Sequence, residues 1–425
     1  MLNKLYKLSY IAFRNLFRNK RRTLFTLLIA TTGFAAMSIA VGYYSYSMYG
    51  LQELTIRSGF SGSGGTGHIQ IRSTDFYEKP EAFALQHGLD DHKSLIDDIL
   101  SFENIDYVMP RLEFGGLISN GDKSLPFIGF GINPEFELKL WQGFGTVNPS
   151  LKGGNEFSSL INQKHGVILG TKLANLLNAT KGDTLMLYGT TVDGGVNAVD
   201  VELVNVIATG ISEADKYYLL VNVPLAQQLI NTSKISLLSI MFKDRIHLET
   251  KITTLKNEAL KNQAKVLAVK DWIELGEYYA SVRDLFNIIF LFMGSIIIVI
   301  VMLSCWNITN MTVLERIKEI GTLRAIGIKT RYITTIFLIE NFLISIVGVI
   351  TGFFLQLAIS SIINRLLIPM PPIPGMNKGY FLQVYTYTDQ HPLIALTIII
   401  ALTLSGLSAF FTIRKLSIIE SLDHA

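Results

Sequence analysis

The sequence contains very little cysteine and few charged residues. Cys305 is the single cysteine among 425 residues, which excludes a disulfide framework and a cysteine-based metal site. Charged residues make up 17% of the chain and hydrophobic residues 49%, the balance of a membrane protein. The net charge of +3 is too near neutral to indicate a nucleic-acid partner, so we expect none.

Motifs for nucleotide-driven or hydrolytic chemistry are also lacking. No G-x-x-x-x-G-K-[ST], H-E-x-x-H or G-x-S-x-G string occurs. The segment Gly62–Gly67 matches G-x-G-x-x-G, but it follows an apolar span instead of a strand, so we interpret it as a flexible joint. The cluster HGLDDH at residues 87–92 fits no standard zinc motif. We therefore predict no catalytic residue, no metal and no cofactor in this chain, and expect it not to be an enzyme.

Four apolar stretches are each long enough to cross a bilayer, which takes about 20 residues. The first follows a basic segment without acids, residues 1–23, which is either an amphipathic helix on the membrane surface or a charged flank that sets topology. The positive-inside rule places both termini in the cytoplasm. The predicted division is a cytoplasmic N-terminal helix (1–23), transmembrane helix 1 (24–49), an extracytoplasmic α/β domain (50–282), transmembrane helix 2 (283–308), a cytoplasmic helix (309–332), transmembrane helix 3 (333–364), an outer loop (365–391), transmembrane helix 4 (392–413) and a cytoplasmic tail (414–425).

The large domain after the first span has alternating strand and helix patterns and no apolar run of span length. Asn120-Gly121 and Asp193-Gly194-Gly195 are hairpin turn signals. Strands are predicted at Ile69–Arg72, Leu112–Ser119, Ser124–Gly131, Thr184–Tyr188, Val199–Thr209, Tyr217–Val223 and Leu237–Phe242, and helices near 91–102, 170–178, 224–231 and 248–263. The predicted fold class is an α-helical membrane protein with four transmembrane helices plus a large α/β extracytoplasmic domain inserted between helices 1 and 2.

A compact charged segment joins the second and third apolar stretches. It is rich in helix formers, which predicts a short cytoplasmic helix, although a solvated loop is the alternative. The order of its residues resembles the FtsX/MacB-like permease family of ABC transporters in the string Glu315-x-x-x-Glu319-Ile320-Gly321-x-x-Arg324-Ala325-x-Gly327, followed by Phe337-Leu338-x-Glu340.

That resemblance implies a function for the segment. In the family it is the coupling helix that docks on a separate cytoplasmic ABC ATPase subunit (LolD/MacB-like), which binds the ATP. Two permease copies, or one copy and a paralogue, form the unit, and movement is transmitted to the outer domains, here through a stalk at Tyr278–Asp284. The implied ATPase-contacting residues are Glu315, Lys318, Glu319, Ile320, Gly321, Arg324, Ala325 and Gly327.

Within that family, the architecture without a fused ATPase is most similar to the Lol-type (LolC/LolE-like) permeases of the bacterial inner membrane. The resemblance implies a lipoprotein or another acylated, amphipathic substrate. One segment departs from it: Gly189–Val201 is short and acidic, where the Lol subunit that recruits a periplasmic carrier has a longer basic insertion. Two alternatives stay open, a MacB-like efflux component with an outer-membrane duct and an FtsX-like signal transmitter that activates a cell-wall hydrolase.

Glu340 is the acidic residue within the third apolar stretch. Acids inside a membrane are costly and usually functional. Because Glu340 lies near the cytoplasmic end of the span, we expect it to pair with Arg324 or Arg331. A structural role is therefore favoured over a role in a transport path.

Overall fold

The computed structural model describes Tyr10 and residues 12–18, 20–57, 65–78, 87–90, 92–142, 155–209, 212–244, 247–258, 267–371 and 379–415. The chain divides into a helical unit (Met1–Met48, Arg283–Ile368 and Leu382–Ala425) and an α/β unit (Tyr49–Val282 and Pro369–Phe381). The predicted fold class is confirmed in its architecture: the described residues contain four helices that are long and apolar enough to cross a membrane, and the α/β domain lies between the first and the second of them in the chain.

The helices predicted near 91–102, 170–178, 224–231 and 248–263 are present, and the first two long helices extend beyond the predicted spans 24–49 and 283–308. The helices are α1 (Lys20–Arg57), α2 (Thr74–Glu78), α3 (His92–Leu100), α4 (Pro134–Gln142), α5 (Ser158–Ile161), α6 (Thr171–Leu177), α7 (Val223–Ile230), α8 (Leu248–Glu258), α9 (Trp272–Leu275), α10 (Glu277–Glu315), α11 (Ile317–Ala325), α12 (Thr330–Leu366), α13 (His391–Ser405) and α14 (Ser408–Lys415). The strands are β1 (Ile69–Ser73), β2 (Ile105–Ser119), β3 (Ser124–Ile132), β4 (Gly166–Gly170), β5 (Thr184–Thr190), β6 (Val196–Ile207), β7 (Tyr218–Asn222), β8 (Leu237–Phe242), β9 (Leu267–Asp271), β10 (Pro369–Met370) and β11 (Tyr380–Phe381).

Six strands of the α/β unit close on themselves in the order β2-β3-β7-β4-β6-β5 and back to β2. The pairs β3/β7 and β4/β6 are parallel, and the other four are antiparallel. Gly121, at φ 95°, makes the tight turn of the predicted β2–β3 hairpin. The long strand β2 serves two sheets, because its first half pairs with β8, to which β1 and β9 are added.

Each of the two sheets has its own apolar core. Helices α6 and α7 cover the closed sheet with Leu173, Leu177, Leu225 and Leu229, which pack against strand residues that include Phe114, Leu187 and Leu219. Helices α3 and α8 cover the second sheet with Leu95, Ile99, Ile252 and Leu255. These separate cores give the α/β unit the means to fold without the membrane helices.

The described end of the glycine motif is fixed by hydrogen bonds. Gly67 N donates to Ile56 O (2.9 Å), and Gly65 O accepts from the buried Arg111 Nη1 (2.6 Å), whose guanidinium also pairs with Glu137. A Cβ on Gly65 would lie 2.1 Å from Ile56 O, so the close backbone approach requires glycine. The flexible-joint interpretation is therefore wrong for residues 65–67, and residues 62–64 lie outside the described part of the chain.

The helical unit is held together by close contacts between small residues and by a shared apolar core. A Cβ on Gly348 in α12 would lie 2.3 Å from Ala30 Cβ in α1, which is the close helix approach that small residues permit in membranes. The core combines all four long helices through Ala30, Phe34, Val301, Cys305, Ile394, Ile398 and Leu402, with Val349 and Phe353 packed against it. The predicted fourth span is broken after Ser405, and Gly406 lies against Leu338 and Asn341 at that break.

A buried histidine should make the α/β unit sensitive to acid. His68 Nδ1 accepts a hydrogen bond from Phe242 N (3.1 Å), so protonation at Nδ1 would break that bond. Burial, with smaller contributions from Arg57 and Lys251, lowers the pKa of His68 to about 4 from its usual 6.5. As the pH falls, the unfolded chain therefore takes up this proton before the folded chain does. The neutral His68 contributes about 3 kcal/mol at most to the unfolding free energy, and this contribution is present above pH 6.5 and lost as the pH falls toward 4.

We expect a fragment of residues 49–282 to be soluble and to melt cooperatively, with its unfolding free energy falling between pH 6.5 and pH 4. Urea titrations at a series of pH values measure this dependence. Because carboxylates also titrate in acid, the control is His68→Asn, which keeps a side-chain acceptor for Phe242 N. The variant should show a shallower slope over the same pH interval. Equal slopes for the two proteins would contradict the role of His68.

Candidate coupling site at the basic end of the helical unit

A short helix connects the second and third long helices. Helix α10 ends at Glu315, and Arg316 leaves the helical conformation with φ −104° and ψ 21°. Helix α11 then runs for nine residues, and Gly327, at φ 96°, makes the turn that precedes α12. The connecting segment is therefore helical, but its regular part, Ile317–Ala325, is shorter than residues 309–332 because Arg316 and Gly327 interrupt it.

One face of α11 is anchored by apolar packing. Ile320 is 4% exposed, and its cluster takes residues from α10, α12 and α14, which are Val313, Ile333, Phe337, Ala409 and Ile413. Gly321, the next residue, is also buried. Because three helices contribute to this cluster, a displacement of α11 has to displace their ends as well.

Glu340 is a buried carboxylate beneath this cluster in α12, with no exposed side-chain surface. Its Oε2 accepts from Arg22 Nη2 (2.7 Å), its Oε1 accepts from Asn15 Nδ2 (2.8 Å), and Arg316 Nη1 lies 3.5 Å from Oε1. Arg22 and Arg316 are 13% and 15% exposed, so both ion pairs are largely removed from water. A buried charge is tolerable only with such partners. Glu340 thus connects α12 to the N-terminal segment, to α1 and to the start of α11.

The partners predicted for Glu340 are wrong. Arg324 Nη1 instead donates to the carbonyl of Ile413 (3.0 Å), and Arg331 lies beside Tyr332. The physical reason is that Arg22, 318 residues away in the sequence, is brought to Glu340 by the packing of α1 on α12. An ion pair between residues so far apart cannot be predicted from a local sequence pattern.

Glu319 extends the charged network to the surface. It accepts from Arg316 Nε (2.6 Å) and from Arg18 Nη2 (2.6 and 2.8 Å to its two oxygens). Arg18 belongs to residues 12–18, which are helical, and Phe13 and Phe17 on the same stretch are exposed. The network therefore runs from the N-terminal segment through α11 to the buried Glu340.

The eight residues predicted to contact an ATPase lie in different environments. Ile320 and Gly321 face the interior, and Glu319 and Arg324 are partly buried and bonded within the chain. The remaining four are exposed, and these are Glu315, Lys318, Ala325 and Gly327. The prediction that these eight residues contact a partner stays a prediction, but only the exposed ones can do so without a rearrangement.

The exposed side of α11 and its following turn form a surface that we call the α11 ridge, defined by Lys318, Thr322, Ala325, Ile326, Gly327, Ile328 and Lys329. Ile326 is 74% exposed and Ile328 is 39% exposed, although both are large and apolar. Neither is among the predicted site residues. Their signal in the sequence is an Ile-Gly-Ile string within an otherwise charged segment. Two apolar side chains flanked by two lysines suit a protein surface with an apolar pocket and an acidic rim.

The histidine- and aspartate-rich segment of the α/β unit does not converge on one point. His87 Nδ1 lies 3.6 Å from Asp75 Oδ2, Asp90 pairs with Lys234 (3.1 Å), and Asp91 lies outside the described residues. Across the described ranges, no group of three or more His, Cys, Asp or Glu side chains could hold a metal ion.

These features define a membrane protein with four long apolar helices, a large α/β domain after the first of them and a rigidly held helix between the second and third. Residues 291–418 match the family model described as FtsX-like permease C-terminal. This part of the chain is therefore similar to an FtsX-like permease domain, which agrees with the predicted resemblance to the FtsX/MacB-like family. The narrower Lol-type assignment stays a prediction.

Two curated relatives share part of the chain. The ABC transporter permease YtrF of Bacillus subtilis is 31% identical over 121 residues, which cover 28% of this chain and 27% of that protein. The uncharacterized ABC transporter permease MJ1507 of Methanocaldococcus jannaschii is 26% identical over 217 residues, which cover 50% of this chain and 52% of the relative. The chain thus spans about a quarter and about half of the lengths of these relatives.

Two solved structures align with about half of the chain. The periplasmic region of MacB from Actinobacillus actinomycetemcomitans is 11% identical with a TM-score of 0.33, covering 49% of this chain and 91% of its own. The extracellular domain of the noncanonic ABC-type transporter YknZ is 15% identical with a TM-score of 0.30, covering 48% of this chain and 99% of its own. At these TM-scores neither likeness carries a conclusion about this chain.

Proposed function

We propose that this chain is the transmembrane permease subunit of an ABC transporter and that its ATPase is a separate cytoplasmic polypeptide. The observation that carries the proposal is the α11 ridge, an exposed apolar and basic surface on a helix anchored by both the apolar cluster and the Glu340 network. The match of residues 291–418 to the permease family and the names of the two relatives support it.

The proposed topology follows from the distribution of charge. Lys20, Arg21 and Arg22 begin α1, and Arg414 and Lys415 end α14, so the positive-inside rule places this end of the bundle in the cytoplasm. Both termini are then cytoplasmic, and the α/β unit lies outside the bacterial inner membrane. The α11 ridge is on the cytoplasmic side in this arrangement, where an ATPase can reach it.

Movement of the ATPase would be passed mechanically to the α/β unit. Helix α10 is continuous from Glu277 to Glu315, so the proposed stalk at Tyr278–Asp284 lies near one end of a helix whose other end leads through Arg316 into α11. A continuous helix transmits displacement along its axis, because its backbone hydrogen bonds resist stretching. The unit for transport would contain a second copy of the chain or a paralogue.

For the substrate we propose a lipoprotein or another acylated protein, released or exported from the inner membrane. The support is the resemblance of the chain to Lol-type permeases. The Lol subunit that recruits a periplasmic carrier has a long insertion at the position of Gly189–Val201. In this chain the segment forms the β5–β6 hairpin, with Gly194 at φ 83° in its turn, and contains no long insertion. We therefore do not extend the proposal to a periplasmic carrier.

The neighbouring genes distinguish this function from the two alternatives. Genes for an adaptor and a duct beside this one would favour efflux, and a cell-wall hydrolase gene would favour signalling.

Co-expression of the full chain with the ABC ATPase encoded next to it tests the proposal. We expect the ATPase to copurify with the chain in mild detergent and its ATP turnover to rise when the complex is placed in nanodiscs. The control is the same ATPase with an unrelated four-helix membrane protein. Purification of the chain without the ATPase, together with unchanged turnover, would contradict the proposal.

A further inference from the structure

An open cleft of about 360 Å³ lies between α1 and α10 at the basic end of the helical unit. Its lining includes Arg21, Phe25 and Ile29 from α1 and Ile308, Met311 and Glu315 from α10. We call it the α1–α10 cleft. Neither the coupling role of α11 nor the Glu340 network requires an opening between these two helices.

The cleft is polar at its mouth and mostly apolar in its depth. The two helices are antiparallel across it, because Arg21 and Glu315 are near the start of α1 and the end of α10, whereas Ile29 and Ile308 lie about two turns further in. Eight residues of helix correspond to about 12 Å. The lining contains three other polar residues: Arg22 is paired with Glu340, Thr312 donates to the Ile308 carbonyl, and Asn307 lies at the deep end. A charged mouth above an apolar slot of this depth suits a lipid headgroup with the first carbons of its chains.

The charges at the mouth narrow the choice of lipid. Arg22 is committed to Glu340, but within the described ranges neither Arg21 nor Glu315 has an ion-pair partner, and both are exposed. The mouth thus presents one guanidinium, which donates to phosphate, and one carboxylate, which accepts from an ammonium group. Phosphatidylglycerol has no ammonium group, and the quaternary nitrogen of phosphatidylcholine has no N–H to donate.

We propose that the α1–α10 cleft binds a phospholipid that carries both a phosphate and a primary ammonium group, such as phosphatidylethanolamine. Arg21 holds the phosphate, Glu315 holds the ammonium group, and Phe25, Ile29 and Ile308 contact the acyl chains. Such a lipid fills the space between α1 and α10 next to the point where α10 leads into α11. Lipid binding at this site can be measured on the chain without the proposed ATPase, which matters because Glu315 is also among the exposed residues predicted to contact that partner.

Native mass spectrometry of the full chain, delipidated in detergent and titrated with each lipid, tests the proposal. Wild type is expected to retain one phosphatidylethanolamine about tenfold more tightly than phosphatidylglycerol or phosphatidylcholine of the same chain length. Glu315→Gln should remove that preference while leaving the binding of the other two lipids unchanged. Arg21→Gln should weaken all three lipids by about tenfold, because each of them contains a phosphate.

Two substitutions at the other ends of long helices serve as matched controls. Asp284→Asn changes an acid of the same helix α10, and Arg365→Gln changes a basic residue of α12, both outside the cleft. Neither should alter the order of lipid affinities. Equal retention of the three lipids by wild type, an unchanged preference in Glu315→Gln, or a disulfide between two copies formed through Phe25→Cys would overturn the proposal. The last result would mean that a second copy covers the cleft.

Discussion

Replacement of Glu340 by alanine is expected to lower the unfolding free energy of the helical unit by about 3–5 kcal/mol, the range for the loss of one partner from a buried ion pair. The substitution leaves Arg22 and Arg316 without their carboxylate while both remain largely buried. It also removes the acceptor of the buried Asn15 amide. A denaturant titration of the full chain in detergent measures the effect.

Two further variants separate the loss of charge from the loss of the side chain. Glu340→Gln keeps an acceptor oxygen of similar shape but no charge, so we expect it to lie between wild type and Glu340→Ala. Glu315→Ala removes an exposed acid without an ion pair in the described chain, and it should change stability by no more than about 0.5 kcal/mol. Trypsin should cleave after Arg324 and Lys329 faster in Glu340→Ala, since α11 then loses part of its anchor. If Glu340→Ala matched wild type in both measurements, the network would not hold α11.

Ile326→Asp is expected to abolish copurification of the proposed ATPase and its stimulated ATP turnover. Ile326 is 74% exposed, so the substitution introduces no buried charge and should leave the fold of the chain intact. On the proposed docking surface, however, an aspartate would occupy an apolar pocket and place a carboxylate beside an acidic rim.

The matched control for this prediction is Ile128→Asp. Ile128 is 56% exposed on β3 of the α/β unit, which the proposal places on the other side of the membrane. Assembly should be unaffected in this variant. If Ile326→Asp also assembled and stimulated turnover normally, α11 and its turn would be only a solvated connection.

A bulky residue at Gly321 is a poorer test of ATPase docking. Gly321 is buried, so its replacement would disturb the packing of α11 itself.

Local sequence patterns were sufficient for much of the fold. The hairpin across Asn120-Gly121 and the strand Leu237–Phe242 appear where turn chemistry and β-branched or apolar runs predict them. Helix α4 and strand β9 were not predicted. Both are short, and β9 becomes a strand by pairing with β1, a tertiary interaction that its own sequence does not report.

Contacts between distant segments could not be predicted. The closure of six strands depends on the pairing of β3 with β7, which are separated by three other strands in the chain. In the candidate site, too, local features could be predicted and contacts between distant residues could not. The position of α11 followed from its charge and its family motif, whereas the Glu340 network required Asn15 and Arg22 from the other end of the sequence. The exposure of Ile326 depends on which face of α11 packs inward, and that is decided by Ile333, Phe337 and Ile413.

Site-specific photo-crosslinking in intact cells shows whether an ATPase docks on α11. A photoreactive amino acid replaces Ile326 on the α11 ridge, and in a parallel strain it replaces Ile128 in the α/β unit. We expect the Ile326 probe to form an adduct with a cytoplasmic ABC ATPase and the Ile128 probe to form none. An Ile326 probe that captures no ATPase, while the chain is stably inserted in the membrane, would contradict the docking of an ATPase on this helix.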